Sequence, residues 1–520
     1  MPEKRYRCLL SKISINGKIF PCLLLARGAH RAAYYWKSGQ KRFEILWKSV
    51  NFCIEIPWKS VYLHQTKTTD MLRRKIRPII YNHLASRDTK IMVIDGARQI
   101  GKSFIIRDVA QELFPNYIEI DFVEDKVGDK LFENATTTEE FYFRLSTIAG
   151  DKMKGNKEDT IVFLDEIQAY PHLLTLLRFL RKEGKFTYIA SGSLLGVTLR
   201  NTPSVPAGDI LINHMFPLDF EEFLWANGFS DEAIGTLEKR FSARESLDDA
   251  MHTKMLDLFK KYLLVGGLPD AVNEFQNSRN MVAVRAIHDS IHALYGVDAT
   301  QYDEDHKLQI TRIYNMVPSL MANKKKRIVY KDIAEKGDKR SNDYRDEFDY
   351  IIGAGICLDV KAISSPTFPL KESESKNLLK LYMNDVGLLT NELYKYNIDA
   401  VMNDRLSVNL GSVYETVVAS ELKAHGIKQL FYYDNKAHGE VEFILDDYDN
   451  AAIMPIEVKS GKDYTIHRAL NTFMSNPDYR VKQAYVLSNA KEIKQDGYLT
   501  YLPIYFTMFI KENPPKEVLL

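Results

Sequence analysis

The sequence predicts an α/β protein that begins with a parallel sheet covered by helices. The first observation is the apolar run IMVID at Ile91–Asp95, which is typical of a buried strand. The second is the alternation of apolar strands with helical stretches from there to about residue 216. The third is a later helix followed by hairpin strands, at residues 411–458, which predicts a second α/β domain.

A glycine-bounded loop follows the strand IMVID and fits the pattern G-x-x-x-x-G-K-[ST]. Its glycines allow backbone N–H groups to approach phosphate oxygens, its lysine brings a charge to the β and γ phosphates, and its serine hydroxyl can bind Mg²⁺. The plainer alternative is a turn between a core strand and a helix. We expect the loop to bind ATP and Mg²⁺ through Gly96, Ala97, Arg98, Gln99, Ile100, Gly101, Lys102, Ser103 and Phe104.

Two acids end a second buried strand, TIVFLDEI, about 60 residues after the loop lysine. In this setting Asp165 is expected to bind the Mg²⁺ ion, and Glu166 to activate the attacking water. The next strand, FTYIASGS, ends in Ser191 and Ser193. Either serine could sense the γ-phosphate, and either could instead cap the helix that follows.

Composition and charge set broad limits. The chain of 520 residues is 45% hydrophobic and 27% charged, as in globular proteins, and its four cysteines have no metal or disulfide spacing. No apolar run approaches the roughly 18 residues of a membrane span, so we expect a cytoplasmic protein that does not contact membranes. Residues 1–70 are basic and repeat WKS at Trp36, Trp47 and Trp58. They are either a nucleic-acid-binding arm or, as we favour, a segment outside the functional unit.

Five segments in a fixed order carry a family resemblance: GARQIGKS, IVFLDEIQ, IASGSLLG, FPLDFEEFL and YLLVGGLP. With them the sequence resembles the bacterial and archaeal AAA+-type P-loop ATPases of the archaeal ATPase clade. The resemblance implies an ATPase core, a helical lid, a winged helix and a C-terminal domain related to restriction endonucleases. The expected domains are residues 1–70 (basic extension), 71–220 (ATPase core), 221–300 (lid), 301–372 (winged helix) and 373–520 (nuclease-like).

Two features depart from this pattern. Many relatives carry Gly-Arg before the fifth strand, where this chain has Gly208-Asp209, so the source of an arginine acting on the nucleotide stays open among Arg178, Arg181 and Arg200. In the middle region, VYKDIAEK and NDYRDEFDYIIGAGI are expected to form two helices, and CLDVKAI a wing strand. The second helix carries Asp343, Asp346, Glu347 and Asp349, which would repel DNA phosphates, so a packing role is favoured over DNA reading. A linker is expected at 364–377.

The last domain holds a second candidate site. GSVYETVVASEL is expected to form a helix with Glu415, followed by hairpin strands with Glu440, Glu442, Glu457 and Lys459. A carboxylate on one strand and E-x-K on the next resemble the PD-(D/E)XK nuclease core, with Glu442 where the pattern more often has Asp. In such a core, Glu442 and Glu457 bind Mg²⁺, and Glu415 and Lys459 complete the catalytic set. The alternative is a nuclease-like fold retained for packing.

Two function classes follow from these expectations. In the first, ATP binding and hydrolysis move or license a C-terminal nuclease-like domain. In the second, the protein is a nucleotide-dependent switch that binds DNA or a protein without cutting. The complete acidic set favours the first class, and the missing Gly-Arg pair and acidic helix favour the second. DNA, a protein partner and self-assembly are all open as partners beside ATP.

Overall fold

The computed structural model describes residues 71–512, except 87, 89, 194–207, 299–306, 324–325, 327, 329–343, 404–409, 436–438 and 462. Before residue 71 it describes only two antiparallel strand pairs, β1 (Leu9–Ile15) with β2 (Lys18–Leu24) and β3 (Ala33–Tyr35) with β4 (Glu44–Leu46). The three WKS repeats lie outside the described residues. Met1–Met71 and Leu72–Leu520 are separate compact units, and the second unit carries both candidate sites.

A five-stranded sheet begins the second unit. Its strands are β5 (Ile91–Asp95), β6 (Asn116–Asp121), β7 (Thr160–Asp165), β8 (Thr187–Gly192) and β9 (Ile210–His214). They are ordered β6-β7-β8-β5-β9, and every neighbouring pair is parallel. The predicted parallel sheet is therefore confirmed. Because the strands are parallel, the loops after β5, β7 and β8 emerge at the same edge.

Five helices cover this sheet: α1 (Ile76–Ala85), α2 (Lys102–Leu113), α3 (Phe122–Val127), α4 (Thr138–Ala149) and α5 (Pro171–Glu183). Local sequence sets their ends. Helix α5 begins with proline at its first position, where no intrahelical N–H bond is lost, and ends before a glycine. Helix α4 begins after Thr137, whose side chain accepts from the N–H of Glu140. Residues of β5 and β7 are all buried beneath these helices.

A helical region follows, as expected. It contains α6 (Phe220–Ala226), α7 (Asp231–Ala243), α8 (Asp249–Val265), α9 (Pro269–Ser278), α10 (Met281–Asp298), α11 (Lys307–Ala322) and α12 (Arg345–Gly353). Helix α6 starts with a capping box, in which Asp219 accepts from the N–H of Glu222 and Glu222 reaches back to Asp219. The glycine pair of LLVGGLP separates α8 from α9.

The region expected to form a winged helix agrees with the prediction in one element, because the second expected helix is present as α12 (Arg345–Gly353). Its first helix, residues 329–336, and Asp343 lie outside the described residues. Cys357–Ile363, expected to be a wing, is instead a strand inside the large C-terminal sheet. Glu347 of α12 is buried, so this acid faces the protein interior rather than a partner. The expected linker at 364–377 contains a 3-10 turn, Leu370–Ser373, and the start of another strand.

The C-terminal sheet has eight strands: β10 (Cys357–Ile363), β11 (Glu374–Met383), β12 (Leu430–Asn435), β13 (Gly439–Asp447), β14 (Ala452–Val458), β15 (Ala484–Ser488), β16 (Lys494–Asp496) and β17 (Leu499–Pro503). Their order is β11-β10-β12-β13-β14-β15-β17-β16, with both parallel and antiparallel pairs. The hairpin β13–β14 pairs Phe443 with Ile456, which brings Glu442 to the level of Glu457. Helices α13 (Val386–Tyr394), α14 (Ile398–Met402), α15 (Gly411–Ala424) and α16 (Arg468–Met474) complete this part.

None of the helices in the described part of the chain is long and apolar enough to cross a lipid bilayer. Instead, one apolar core extends from the face of the five-stranded sheet that carries α1 and α2, through the helical region, to α15 and the C-terminal sheet. The core contains residues from α2, α8, α13 and α15 alike. The sheet of the first half and the sheet of the second half are thus parts of one packed body, within Leu72–Leu520.

Candidate functional site

The loop between β5 and α2 is closely packed at its start. Gly96 has φ +147°, and a Cβ atom there would lie 2.2 Å from the carbonyl oxygen of Met215. The N–H of Met215 in turn donates to the carbonyl of Asp95 at 2.7 Å. No residue other than glycine fits this position without moving the backbone that follows β9. The predicted role of Gly96 in a tight phosphate-type loop agrees with this geometry.

Lys102 is the buried cation of the loop, with a relative exposure of 5%. Its ammonium group donates to the carbonyl oxygens of Gly96 at 2.9 Å and Ala97 at 2.8 Å, so it lies inside the curve of the loop. Burial lowers the pKa of Lys102, against the opposing attraction of Glu166 and Asp95. The loop therefore concentrates positive charge and N–H donors at the start of α2, where an anion is favoured.

Asp165 and Ser103 meet at the carboxyl end of β7. The Asp165 carboxylate is 5% exposed and accepts hydrogen bonds from the hydroxyls of Ser103 and Ser191. Burial raises the pKa of Asp165, although both hydroxyl bonds oppose that shift. A hydroxyl and a carboxylate side by side offer the oxygen ligands that Mg²⁺ prefers. The residues present thus fit the predicted magnesium ligands Ser103 and Asp165.

Glu166 is held by two neighbours. Its carboxylate accepts from the hydroxyl of Ser193 at 2.8 Å and from the amide of Gln168, and Gln168 also donates to Ser193 at 3.1 Å. Burial tends to raise the pKa of Glu166, but the charge of Lys102 and these two bonds hold it below its usual value. Glu166 itself has φ +52°, a left-handed backbone that is rare outside glycine. The carboxylate is thus charged and oriented toward the loop.

The two candidate sensor serines therefore contact different acids. Ser191 is fully buried and bonds Asp165, whereas Ser193 bonds Glu166 and lies 3.5 Å from the Nε atom of Arg98. The alternative, that they cap a following helix, falls on residues 194–207, which lie outside the described residues. Ser193 links the loop arginine, Arg98, to Glu166, and a direct contact between Ser191 and a phosphate stays a prediction.

The other predicted loop residues differ in their surroundings. Ile100 is fully buried, Gln99 has φ +63°, and Phe104 is 55% exposed on the first turn of α2. The carbonyl of Arg98 accepts from the hydroxyl of Tyr295 on α10 at 2.9 Å. On the same side, a Cβ atom on Gly355 would lie 3.2 Å from the amide nitrogen of Ala97. The loop is therefore contacted by two elements from outside the five-stranded sheet.

Two of the three candidate arginines lie away from the loop. The guanidinium of Arg181 is paired with Asp209, and Arg178 lies 3.7 Å from the same carboxylate. Asp209 is next to the start of β9, and its carbonyl accepts from the N–H of Ile91 at the start of β5. This is the edge of the sheet opposite the loop, so neither arginine can reach a nucleotide bound in its own chain. Arg200 lies outside the described residues.

The second predicted site is gathered around α15. Glu415 is 3% exposed, and its carboxylate accepts from the hydroxyl of Tyr382 at 3.1 Å and pairs with the ammonium of Lys326. Glu440, which the prediction left outside the catalytic set, pairs with Lys380, a lysine that is 1% exposed. We call these groups, together with Glu442, Glu457 and Lys459, the carboxylate cluster.

The hairpin strands supply the other half of the cluster. Glu457 accepts from Lys459 at 2.5 Å, and its second oxygen is buried with the Glu442 carboxyl group within hydrogen-bond reach of Glu457. One carboxylate oxygen of Glu442 is likewise buried. Burial raises the pKa of Glu442 well above its ordinary value, and the nearby charges of Glu457 and Glu415 add to the shift. The structure thus brings the four predicted residues together.

The donor chemistry of this cluster fits a divalent cation only in part. Glu442 and Glu457 lie within hydrogen-bond reach of each other, and this contact helps to raise the pKa of Glu442, so a proton between them relieves the repulsion that a cation would otherwise offset. Within the described residues, however, no three His, Cys, Asp or Glu side chains are arranged to hold a metal ion. The expected convergence of Glu415, Glu442 and Glu457 on one metal is therefore not formed in this arrangement. The physical reason is that Glu415 is paired with Lys326 instead.

Sequence reasoning missed four participants in these two sites. Gln168 could have been found, because it follows Glu166 by two residues in the DEIQ segment. Lys380 and Tyr382 lie on β11 in a stretch that was predicted only as the entry to the last domain. Lys326 belongs to the basic run KKKR, about 90 residues before Glu415, and no local pattern indicates that the two meet.

Three protein families match successive parts of the chain. The family described as an AAA domain matches residues 88–224. Two families described as domains of unknown function, DUF8612 and DUF4143, match residues 256–395 and 410–506. The first match covers all five strands of the parallel sheet and both acidic residues. Residues 88–224 are therefore similar to an AAA domain, and the descriptions of the other two families name no activity.

Similar solved structures include a Walker-type ATPase of Pyrococcus abyssi, which is 14% identical with a TM-score of 0.38 and is matched over 62% of this chain and 95% of its own. The Hsp104–ADP complex of S. cerevisiae is 13% identical with a TM-score of 0.23, over 66% of this chain and 43% of its own. Similarity at this level defines no activity or assembly for this chain. No curated protein matches the sequence.

Proposed function

We propose that this protein is a Mg²⁺-dependent ATP hydrolase whose nucleotide state controls a C-terminal nuclease-like site. The observation that carries the first half is the meeting of Lys102, Ser103, Asp165 and Glu166 at one edge of the parallel sheet. These four groups supply the charge, the metal ligands and the base that phosphoryl transfer to water needs. Two of them come from the start of α2 and two from the end of β7, so the arrangement depends on the fold and not on one sequence motif.

Each residue has a distinct part in the proposed hydrolysis. Lys102 leaves its two carbonyl partners to pair with the β and γ phosphates, and backbone N–H groups of the loop bind the same phosphates. Ser103 and Asp165 would hold Mg²⁺, which supplies charge neutralisation at the phosphates when it is bound. Glu166 accepts a proton from the water that attacks the γ-phosphate, and Ser193 and Gln168 orient its carboxylate.

Two contacts to the loop between β5 and α2 are the first support for nucleotide control of the C-terminal site. The hydroxyl of Tyr295 bonds the carbonyl of Arg98, and Gly355 lies against the amide of Ala97. Gly355 is two residues before β10, the second strand of the C-terminal sheet. A loop that changes shape around a triphosphate therefore pushes on the backbone that leads directly into that sheet.

Helix α15 supports the same control from another direction. Its first half carries Glu415, and its last turns carry Glu421, about 9 Å further along the axis at 1.5 Å per residue. The Glu421 carboxylate accepts from the N–H of Phe220 at 2.8 Å, and His425 lies 3.7 Å from the Asp219 carboxylate. Asp219 caps α6, which follows the five-stranded sheet directly. One rigid helix thus joins the ATPase core to the carboxylate cluster.

The proposed reaction of the C-terminal site is hydrolysis of a phosphodiester bond. Glu442 and Glu457 would hold a divalent cation, which polarises the scissile phosphate when it is bound. Lys459, whose pKa is raised by Glu457 and Glu442 against the effect of burial, is positioned to orient the attacking water. Glu415 on α15 would join them only after it is separated from Lys326.

The second candidate function is a nucleotide-dependent switch that binds DNA or a protein without cutting. One observation favours it: each of Glu415, Glu440 and Glu457 already has a lysine partner. Carboxylates that are neutralised internally can serve as packing pairs and need no metal. The two candidates share the ATPase and differ only in whether the cluster ever binds a cation.

The test uses the purified full chain with Mg²⁺ or Mn²⁺, with and without ATP, on plasmid and single-stranded DNA. ATP hydrolysis and strand cleavage are measured in parallel for wild type, Glu457→Ala and Glu374→Ala. Glu374 pairs with Lys361 in the same sheet and is not one of the cluster residues, so it is the matched control. We expect Glu457→Ala to abolish metal-dependent cleavage while it hydrolyses ATP normally, and Glu374→Ala to keep both activities.

The results of these assays distinguish the nuclease-like function from the non-cutting switch. Metal-dependent cleavage that requires Glu457 supports the nuclease-like function, and cleavage unchanged in Glu457→Ala contradicts it. Absence of cleavage, together with DNA or protein binding that changes between ATP and ADP, supports the switch. A wild-type chain that neither binds nor hydrolyses ATP contradicts both, because both depend on the P-loop domain.

A further inference from the structure

Lys326 lies inside the carboxylate cluster, although it is 89 residues away from Glu415 in the sequence. Its ammonium group pairs with one oxygen of Glu415, and only 14% of the lysine side chain is exposed. The other Glu415 oxygen accepts from Tyr382 at 3.1 Å. Both oxygens of the glutamate therefore already have a donor partner, and one of these partners is a positive charge that a cation bound to Glu415 would have to approach.

The segment that carries Lys326 is fixed against the C-terminal sheet. Two residues later, the N–H of Ile328 donates to the carbonyl of Leu379 on β11 at 3.4 Å, and the Ile328 side chain is buried. The next residues of β11 toward the cluster are Lys380 and Tyr382, which reach Glu440 and Glu415. Lys326 is thus attached beside the strand that lines the cluster rather than reaching it as a free surface side chain.

The lysines and carboxylates of the cluster pair one to one. Lys326 pairs with Glu415, Lys380 with Glu440, and Lys459 with Glu457. Lys380 is on β11, and Lys459 directly follows β14, where its N–H donates to the carbonyl of Leu487 on β15 at 2.8 Å, while Lys326 comes from the segment between α11 and α12. Among these three lysines, Lys326 is thus the one that does not belong to the backbone of the sheet or its strand ends.

We propose that Lys326 is a built-in competitor of a divalent cation: its ammonium group occupies Glu415, and the cluster binds metal tightly only when this lysine has left. This inference rests on the proposed metal-binding role of Glu442 and Glu457. Glu457 is 2% exposed and its carboxylate lies within hydrogen-bond reach of Glu442, so a ligand position between the two carboxylates is already directed into the cluster. Glu415, the third carboxylate of the predicted set and a further oxygen ligand for a divalent cation, is the one that Lys326 covers.

The charge of Lys326 determines whether its removal strengthens or weakens cation binding at the cluster. A divalent ion beside Glu415 would stand close to the Lys326 ammonium, and like charges a few ångströms apart in a buried site repel strongly. Replacing Lys326 with methionine keeps much of the side-chain volume, removes the charge and frees the Glu415 oxygen. The uncompensated carboxylate is then unfavourable by itself and favours a cation in place of the lysine.

The experiment measures Mn²⁺ binding to the nucleotide-free full chain by electron paramagnetic resonance, for wild type, Lys326→Met, Lys326→Arg and Lys361→Met. Lys361 pairs with Glu374 at 2.7 Å in the same sheet and serves as the matched control. We expect Lys326→Met to bind Mn²⁺ at least about tenfold more tightly than wild type, and Lys326→Arg and Lys361→Met to match wild type. Adding Glu457→Gln to Lys326→Met should remove the gain.

The melting temperature is a second measurement, for use if Lys326→Met is less stable than wild type. Mn²⁺ should raise the melting temperature of Lys326→Met and leave that of wild type nearly unchanged, because a ligand stabilises the state it binds. The inference is overturned if Lys326→Met gains no affinity and no thermal shift, or if its gain survives Glu457→Gln. If wild type already binds Mn²⁺ tightly through Glu457, the competitor role fails while the proposed metal site stands. If no variant binds Mn²⁺ at the cluster, both fail.

Discussion

Replacing Gly355 with alanine tests whether the turn before β10 is coupled to nucleotide binding. Gly355 has φ +69°, in the left-handed region, and a Cβ atom there would lie 3.2 Å from the amide nitrogen of Ala97. That amide belongs to the loop predicted to bind phosphates. The substitution therefore combines backbone strain with a new contact against a phosphate-binding group, and the two effects can be measured separately.

The expected magnitudes differ for the two effects. A left-handed backbone costs a residue with a Cβ atom roughly 1–2 kcal/mol relative to glycine, and this cost appears in the free energy of unfolding. Displacing the Ala97 N–H from a phosphate would remove one hydrogen bond to a charged group, about 1.5–3 kcal/mol. At about 1.4 kcal/mol per tenfold change, ATP should bind roughly 10- to 100-fold more weakly.

Gly184→Ala is the matched control. Gly184 has φ +61°, and a Cβ atom there would meet only the carbonyl of Arg181 at 3.7 Å, an ordinary contact. Both variants should lose similar stability in urea unfolding, but only Gly355→Ala should lose affinity in a titration with fluorescent ATP and Mg²⁺. Equal ATP affinities in the two variants, with equal losses of stability, would refute the proposed coupling through Gly355.

Four further predictions concern residues at or near the two sites. Lys102→Ala should weaken ATP binding roughly 10- to 100-fold in the same titration, because it removes the charge at the phosphates; unchanged affinity would exclude the assigned role. Glu166→Gln should bind ATP normally and hydrolyse it at least about 100-fold more slowly in a phosphate-release assay, because it lacks the base; wild-type turnover would show that another group accepts the proton. A chain starting at Met71 should melt and hydrolyse ATP like the full chain, since Leu72–Leu520 is a separate compact unit, and lower activity would assign residues 1–70 to the functional unit. Burial raises the pKa of Glu421 well above its ordinary value, so the free energy of unfolding of the wild type should fall as pH rises above that ordinary pKa. Glu421→Gln should abolish this fall in urea unfolding measured at several pH values. The same dependence on pH in both proteins would count against a protonated Glu421.

The parallel sheet and its loop were predictable because their signals are local. An apolar run, two glycines, a lysine and a serine fall within 13 residues, and the acids Asp165 and Glu166 directly end a second apolar run. The strand bounds then follow from short-range patterns, and the predicted strands Ile91–Asp95 and Thr160–Asp165 agree with the structure. Helix and strand signals of this kind do not depend on what lies across the sheet.

The middle region was not predictable in the same way. CLDVKAI has the alternation of a strand, but its sequence does not say whether its partner is a small wing or a strand 70 residues away. The pairing of Lys326 with Glu415 could not be predicted for the same reason, because it depends on a segment that crosses to the C-terminal sheet. Gln168 was missed for a different reason: its position two residues after Glu166 is a local signal, but its role is clear only when its amide is seen on Glu166.

These long-range contacts connect the two sites in physical terms. Gly355 lies against the loop amide of Ala97 and begins the turn into β10, which pairs with β11 along Cys357 to Lys361. Strand β11 carries Tyr382, which bonds Glu415, and holds the backbone of Ile328 beside Lys326. A displacement of β10 by the loop would therefore move both partners of Glu415 relative to α15, which is anchored to the ATPase core by Glu421. Release of Lys326 from Glu415 is thus the step at which nucleotide state would reach the carboxylate cluster. Because Gly355→Ala acts at the start of this path and Lys326→Met at its end, the double variant should retain the Mn²⁺ affinity gained by Lys326→Met.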